Sequence, residues 1–331
     1  MTNTSATSSH AALFSLLLAF SLPFDVRGAE SEIVLERAEG KIIVSIDGQL
    51  FTEYIYEGHA KPILYPIIGP HGVKMTRAYP MVEDVDNEAR DHPHHESLWF
   101  THDEVNGVNF WSARLDRGEN GRSARIRQSS IALQGNSIRS ENEWLAPGDQ
   151  IVCTDTTLIA FGATPVGRYI DYQVTIHASQ DDVTFGDTKE GTMAIRTHPK
   201  LRLSADKRRG NHTAAGHAVN SEGHTDNELW GKRAKWVDYW APIDGNVVGI
   251  AIFDHLDNPR HPTWWHARNY GLVAANPFGI HDFENKPKST GDMLLKKNTS
   301  VTFRYRFLFH EGNSQSANIE QQYAQFAGDS K

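Results

Sequence analysis

Residues 300–310 read SVTFRYRFLFH, and Val301, Phe303, Tyr305, Phe307 and Phe309 occupy alternate positions. A helix would scatter these side chains around its axis, whereas an extended chain sends them all to one side. The segment is therefore a strand with one buried face. The same period governs RYIDYQVTIHAS at 168–179, where Ile170, Tyr172, Val174 and Ile176 alternate with Asp171, Gln173, Thr175 and His177. In KIIVSIDGQLFTEYIY, residues 41–56, Asp47-Gly48 separates two apolar runs, a strong hairpin signal. Further strands are expected at 125–134, 137–145, 150–160, 192–203 and 247–254, with a helix only in SANIEQQYAQFA, where Ile319, Tyr323 and Phe326 share a side. The expected class is all-β: a large antiparallel β-sandwich with a short C-terminal helix.

The 331 residues allow a sizeable core, and a net charge of −8 without a basic run argues against nucleic acid as a partner. ALFSLLLAFSLPF at 12–24 is shorter than the ~20 residues of a spanning helix and reads as the apolar part of a signal peptide, residues 1–28. The expectation is an exported protein, periplasmic or extracellular, with one domain over 29–331 and no stable membrane insertion after cleavage. A single cysteine, Cys153, excludes an intrachain disulfide. No βαβ alternation or Gly-rich phosphate loop is present, so a nucleotide-binding domain is not expected. The polar stretch 204–235, with His212, His217 and His224, is equally readable as a binding loop or a surface excursion.

Three segments concentrate chemistry. DHPHHESLWF, 91–100, holds His92, His94, His95 and Trp99. If 92–96 is extended, His92, His94 and Glu96 face one way and His95 the other. His92 and His94 would then suit a divalent metal, with His102, His266 or His281 as third ligand. Used without metal, the imidazoles suit proton transfer. FGDTKEGTMAIRTHP, 185–199, offers Glu190 in a turn and places Arg196 and His198 on one strand face. DHLDNPRHPTWWHARNYGLVAANPFG, 254–279, combines His261, Trp264, Trp265, His266, Arg268, Tyr270 and Asn276. Aromatic surface beside hydrogen-bonding groups suits a sugar; a core tryptophan pair would give the same pattern.

DHPHHESLWF, VNGVNFW at 105–111, GDTKEG, NSEG…LWG, KWVDYW, VGIAIFDH, NPRHPTWWHARNYG and ANPFG together resemble the exported bacterial family known as PmoA, or methane oxygenase PmoA-like, also carried as a domain of unknown function. Glu96 stands where that pattern is usually basic, and His102-Asp103-Glu104 replaces a shorter motif. The resemblance implies a sandwich similar to the galactose-mutarotase type and an association with sugar catabolism, in which His and carboxylate groups of a concave sheet bind and protonate sugars. It does not imply copper-dependent methane oxidation, because the subunit behind the name is a bundle of spanning helices.

The expected activity is that of a carbohydrate-active enzyme, taking a small-molecule or oligosaccharide substrate. It would abstract a proton beside a carbonyl of an oxidised sugar or glycoside, with elimination, hydrolysis or epimerisation to follow. His94, His95, His266, Arg268, Arg196 and His198 form the catalytic set, His94 or His95 being base or metal ligand and Arg268 the oxyanion partner. Trp99, Asn106, Trp264, Trp265, Asn276 and Glu190 form the substrate-binding set. The alternatives are a non-catalytic carbohydrate-binding protein that stacks sugars on Trp99, Trp264 and Trp265, and a metal-dependent oxygenase.

Overall fold

A computed structural model describes residues 1–4, 31–85, 88–116, 123–205 and 213–328. The chain divides into two compact units, residues 1–30 and 31–331. Of the first unit only residues 1–4 are described, all exposed, so the expected signal peptide lies outside the described residues, as does His212. Among the described residues no helix is long and apolar enough to cross a membrane.

The second unit is built of antiparallel strands. In chain order they are β1 (Ile33–Ala38), β2 (Lys41–Ile46), β3 (Gln49–Ile55), β4 (Ile63–Ile67), β5 (Leu98–His102), β6 (Arg125–Gln134), β7 (Ser137–Leu145), β8 (Ile151–Thr164) and β9 (Gly167–His177). There follow β10 (Val183–Phe185), β11 (Gly191–Arg196), β12 (His217–Asn220), β13 (Trp236–Ile243), β14 (Asn246–Asp254), β15 (Trp264–Ala267), β16 (Leu272–Asn276), β17 (Met293–Leu295) and β18 (Ser300–Glu311), with helices α1 (Ile280–Glu284) and α2 (Ile319–Gly328). One eight-stranded sheet runs β1-β2-β3-β4-β5-β11-β16-β15; the other runs β12-β13-β14-β18-β9-β8-β7-β6. β10 and β17 form a small pair apart.

The period-two signal decides the layering. Phe303, Tyr305, Phe307 and Phe309 of β18 and Ile170, Tyr172, Val174 and Ile176 of β9 pack in one core with Leu64, Leu98, Phe100, Met193, Ile195 and Val273 of the first sheet. The two sheets therefore bury one face each against the other, as an antiparallel sandwich requires. The β2–β3 turn carries Asp47 and Gly48 at φ 53° and 72°, the left-handed pair of a tight hairpin. On the far side of the second sheet, Ile319, Tyr323 and Phe326 of α2 close a smaller cluster with Phe253 and Leu308. Cys153 is a buried free thiol.

Two expectations about length are corrected. The strand expected over 192–203 ends at Arg196, because Pro199 starts a short 3-10 turn capped by the His198 ring, whose Nδ1 accepts the Lys200 amide at 3.1 Å. The stretch 204–235 is less irregular than its composition implies, since β12 pairs with β13 and Asp226–Leu229 forms a 3-10 turn with a capping box at Thr225 and Glu228.

One polar pair lies wholly inside this unit. His310 Nε2 meets Asp238 Oδ1 at 2.8 Å, both side chains being fully buried. Gly249 makes room for that ring, for a Cβ there would stand 2.3 Å from its Cε1. Burial disfavours the imidazolium, but the Asp238 carboxylate and its hydrogen bond outweigh this and raise the His310 pKa. A raised folded-state value stabilises the fold below the unfolded pKa of about 6.5, and that contribution disappears as pH rises through the folded value. His310→Gln is expected to lower unfolding free energy by about 3–5 kcal/mol at pH 6 by leaving Asp238 unpaired. Denaturant titrations at pH 6 and pH 9 should show a smaller penalty at the higher pH.

Candidate functional site

The first sheet has a second face, and the chemistry gathers there. Alternation sends Met193 and Ile195 of β11 into the sandwich core and leaves Ala194 and Arg196 on the outer side. Trp99, Leu272 and Ala274 share that outer side, packed with Ile63 and Trp111. Along β15, Trp265 and Ala267 enter the sandwich core, so Trp264 and His266 project outward.

Over this face lies the 89–97 loop, organised by a residue that sequence reasoning missed. The Arg77 guanidinium, fully buried, donates to the carbonyl oxygens of Ala89 (3.0 Å), Asp91 (2.9 Å), His92 (3.0 Å) and His95 (3.3 Å), and to Asp91 Oδ1 at 2.8 Å. Its own backbone amide bonds the Arg196 carbonyl at 3.0 Å, which ties the clamp to the end of β11. Arg196 Nη2 donates to the same Asp91 Oδ1 at 2.8 Å. Asp91 is thus held by two guanidiniums, while its Oδ2 lies 3.0 Å from His92 Nδ1. Burial opposes its charge, yet the His92 contact and the two arginines hold the carboxyl well below the usual range.

The loop is a turn, not the extended segment expected. His95 N bonds the His92 carbonyl at 2.9 Å, and His92 adopts φ 44°. The turn brings the imidazoles together instead of sending them to opposite faces. Tyr270, His92, His95 and Trp99 form a stacked series with successive ring centroids 5.2, 4.8 and 5.5 Å apart. His94 meets His95 edge to face at 4.4 Å. Arg196 Cζ lies 4.6 Å from the Tyr270 centroid and Arg268 Cζ 5.6 Å from it.

Protonation follows from these contacts. Arg196 Nη1 lies 3.2 Å from His95 Nδ1, and a guanidinium only donates, so Nδ1 accepts and the ring proton sits on Nε2. Burial, then the Arg196 charge, drives the His95 pKa well below normal. Burial, then Lys61, lowers His94 to about 3. Burial, then Arg268 and Lys189, lowers His266 to about 3. All three rings are neutral at neutral pH. His92, with 35 % of its side chain exposed, is the imidazole of the series that reaches solvent beside a carboxylate. Arg268 is partly exposed and has no ion pair among the described residues. Burial raises the Glu190 pKa, against the pull of Lys189; His92 and Arg268 also act on this carboxyl.

The remaining expected residues have other surroundings. Glu96 turns away to Lys61 Nζ (2.7 Å) and His59 Nδ1 (2.8 Å), which hold it at about 2 against its burial. His198 is the cap described above, and His261 Nδ1 pairs with Asp254 at 2.7 Å. Trp265 donates to the Ala234 carbonyl inside the core, and Trp264 donates to Glu284 with Arg233 over its ring. Trp99, Trp264 and Trp265 are 0, 4 and 0 % exposed, so none offers an open indole face. Asn276 caps the 276–279 turn, accepting the Phe278 and Gly279 amides, and Asn106 bridges to Asp182 and Thr184. Among the described residues no three His, Cys, Asp or Glu side chains are grouped to hold a metal ion. His92 and His94 cross at 5.8 Å, while His102 Nε2 donates to the Gly186 carbonyl and His281 Nδ1 to that of Lys286.

A family model described as "Family of unknown function (DUF6807)" matches residues 41–324. The chain belongs to the DUF6807 family. This overturns the resemblance to PmoA-like proteins, since the segments that carried it fall almost wholly within the matched DUF6807 region and no PmoA or methane oxygenase family matches. No curated protein matches the sequence. Solved structures with a likeness include a glycoside hydrolase family 97 enzyme from Pseudoalteromonas sp. strain K8, at 11 % identity over 86 % of this chain and 35 % of that one, TM-score 0.33. A polysaccharide lyase matches at 14 % identity over 87 % of this chain and 34 % of that one, TM-score 0.34. A galactose mutarotase-like protein from Lactobacillus casei ATCC 334 matches at 8 % over 84 % of this chain and 100 % of that one, TM-score 0.35. The chain spans about a third of the hydrolase and lyase chains it matches. Likeness of this degree carries no argument about activity, and the sandwich stands on its own strand pairing.

The Arg77 clamp gives a direct expectation. Arg77→Met removes the shared partner of four carbonyls and should cost about 3–5 kcal/mol, as loss of one member of a buried charged pair does. Native-state hydrogen exchange should show the His95 amide opening far faster in the variant, while the β9 and β18 amides keep their order of protection.

Proposed function

We propose that the outer-face cluster is the active site of an exported carbohydrate-active enzyme that removes a proton beside a carbonyl of an oxidised sugar. The observation that carries the reading is the meeting of residues 91–95, 196 and 270 around His92: Asp91 at 3.0 Å, the His95 ring at 4.8 Å and the Tyr270 ring at 5.2 Å. Asp91 Oδ2, 3.0 Å from Nδ1, favours a positive charge on the ring, so that Nε2 can take a proton as a general base does. Asp91 is fixed by Arg77 and Arg196, so its charge stabilises the imidazolium without taking the proton.

His92 is the base in this reading because the neutral His94, His95 and His266 hold protons too weakly to compete at neutral pH. As the substrate C–H bond breaks, its proton passes to Nε2 and its electron pair moves toward the carbonyl oxygen. Arg268, beside the same tyrosine ring, meets the developing oxyanion. Return of a proton to the other face gives epimerisation; departure of a β-oxygen substituent gives elimination. Glu190, whose pKa burial raises and on which His92 and Arg268 act electrostatically, is the proton donor to the departing oxygen in this reading. A binding module that stacks sugars on tryptophan is not favoured, because the three candidate indoles are covered.

The test is proton nuclear magnetic resonance of hexuronic acids and keto sugars incubated with the protein in D2O. The wild type is expected to exchange the carbon-bound proton beside the carbonyl of its substrate. His92→Gln should slow that exchange by about 10²–10⁴-fold, the usual contribution of a general base. Full turnover by His92→Gln would remove the proposal.

A further inference from the structure

The guanidinium of Arg202 is fully buried, and among the described residues its Nε, Nη1 and Nη2 have no hydrogen-bond partner. Its surroundings intensify the charge. Arg77, Arg196 and Arg202 are each 0 % exposed, and Arg202 feels the repulsion of Arg196 alongside the attraction of only Asp91 and Glu88. Both carboxylates are already engaged: Asp91 Oδ1 by the other two arginines, and Glu88 by the amides of Ala78 and Tyr79. Among the described residues three cations therefore face two carboxylates, one positive charge in excess. Burial and Arg196 lower the Arg202 pKa only to about 10, which leaves it charged at neutral pH.

A buried cation whose nearby carboxylates are engaged elsewhere is costly, and five N–H bonds unmade among the described residues add to that cost. An oxyanion removes both penalties, because its oxygens match the guanidinium fork two at a time. The position fits a ligand of the outer-face cluster. Arg202 Cγ packs against the 268–271 turn, where a Cβ on Gly271 (φ +90°) would stand 3.3 Å from it, and that turn carries Arg268 and Tyr270.

We propose that Arg202 is the anchor of an oxyanion-binding site beside the His92 cluster, taking a carboxylate, phosphate or sulfate group. The site does not depend on His92 acting as a base. Two sources share this chemistry: a resident inorganic anion, or the acidic group of the substrate itself.

Crystals of the unaltered protein grown without oxyanions and soaked in selenate should show an anomalous peak within hydrogen-bond distance of the Arg202 guanidinium. In solution, inorganic phosphate at constant ionic strength should raise the melting temperature saturably, and Arg202→Gln should weaken that effect at least tenfold. Galacturonate, but not galactose, displacing selenate assigns the site to a substrate carboxylate; selenate that resists both assigns it to a resident ion. No peak at Arg202, or a phosphate effect of equal size in Arg202→Gln, overturns the proposal. If Arg202→Gln does not fold, the selenate result on the unaltered protein decides alone. Loss of proton exchange in His92→Gln with intact selenate binding would separate this site from the catalytic reading.

Discussion

The Arg77 guanidinium is the constraint on which the outer face of the first sheet depends. A loop that turns back over a sheet leaves its carbonyls without strand partners, and a buried carbonyl left unpaired is expensive. Arg77 answers four of them at once from a position fixed by its backbone bond to β11. Through the same guanidinium it shares Asp91 with Arg196, and the shared carboxylate lies 3.0 Å from His92 Nδ1. The arrangement of the imidazoles is thus a consequence of backbone satisfaction.

The same low-dielectric surroundings give the histidines different roles. Burial beside cations strips the proton from His94, His95 and His266, while the Asp238 carboxylate beside the buried His310, on the α2 side of the second sheet, shifts that imidazole the other way, toward holding its proton. Burial disfavours charge in all four, and the sign of the neighbour decides the result. On the outer face the neighbours are mostly cationic, which makes that face a receiver of negative charge, whether an oxyanion formed in reaction or an acidic group carried by a ligand.

Much of the fold was legible. β6 and β7 have the bounds their alternation and turns predict, and the hairpin at Asp47-Gly48 has the left-handed backbone those two residues favour. At the site, the 91–95, 196 and 268–270 stretches come together. Individual roles were not legible. The histidines before proline were expected in extended backbone, but His92 is left-handed because Arg77 binds carbonyls on both sides of the turn. Trp265 and His266 are neighbours in sequence and face opposite sides of the sheet, one to the core and one to the cluster. Arg77 and Arg202 lie in MTRAYP and PKLRL, stretches with no local mark of importance.

By itself the sequence determined the period of its strands, the apolar stripe of its last helix and the single thiol that excludes an intrachain disulfide. Those properties are set by neighbours along the chain, through side-chain alternation and turn preference. Only the tertiary structure decided that Asp91 lies between Arg77 and Arg196, that Tyr270 covers His92, and that Arg202 is buried without a hydrogen-bond partner among the described residues. Electrostatic roles depend on burial and on charges brought from more than a hundred residues away, as Arg196 is to Asp91 and His95. No local pattern encodes that distance; the crossing of strands between two sheets creates it.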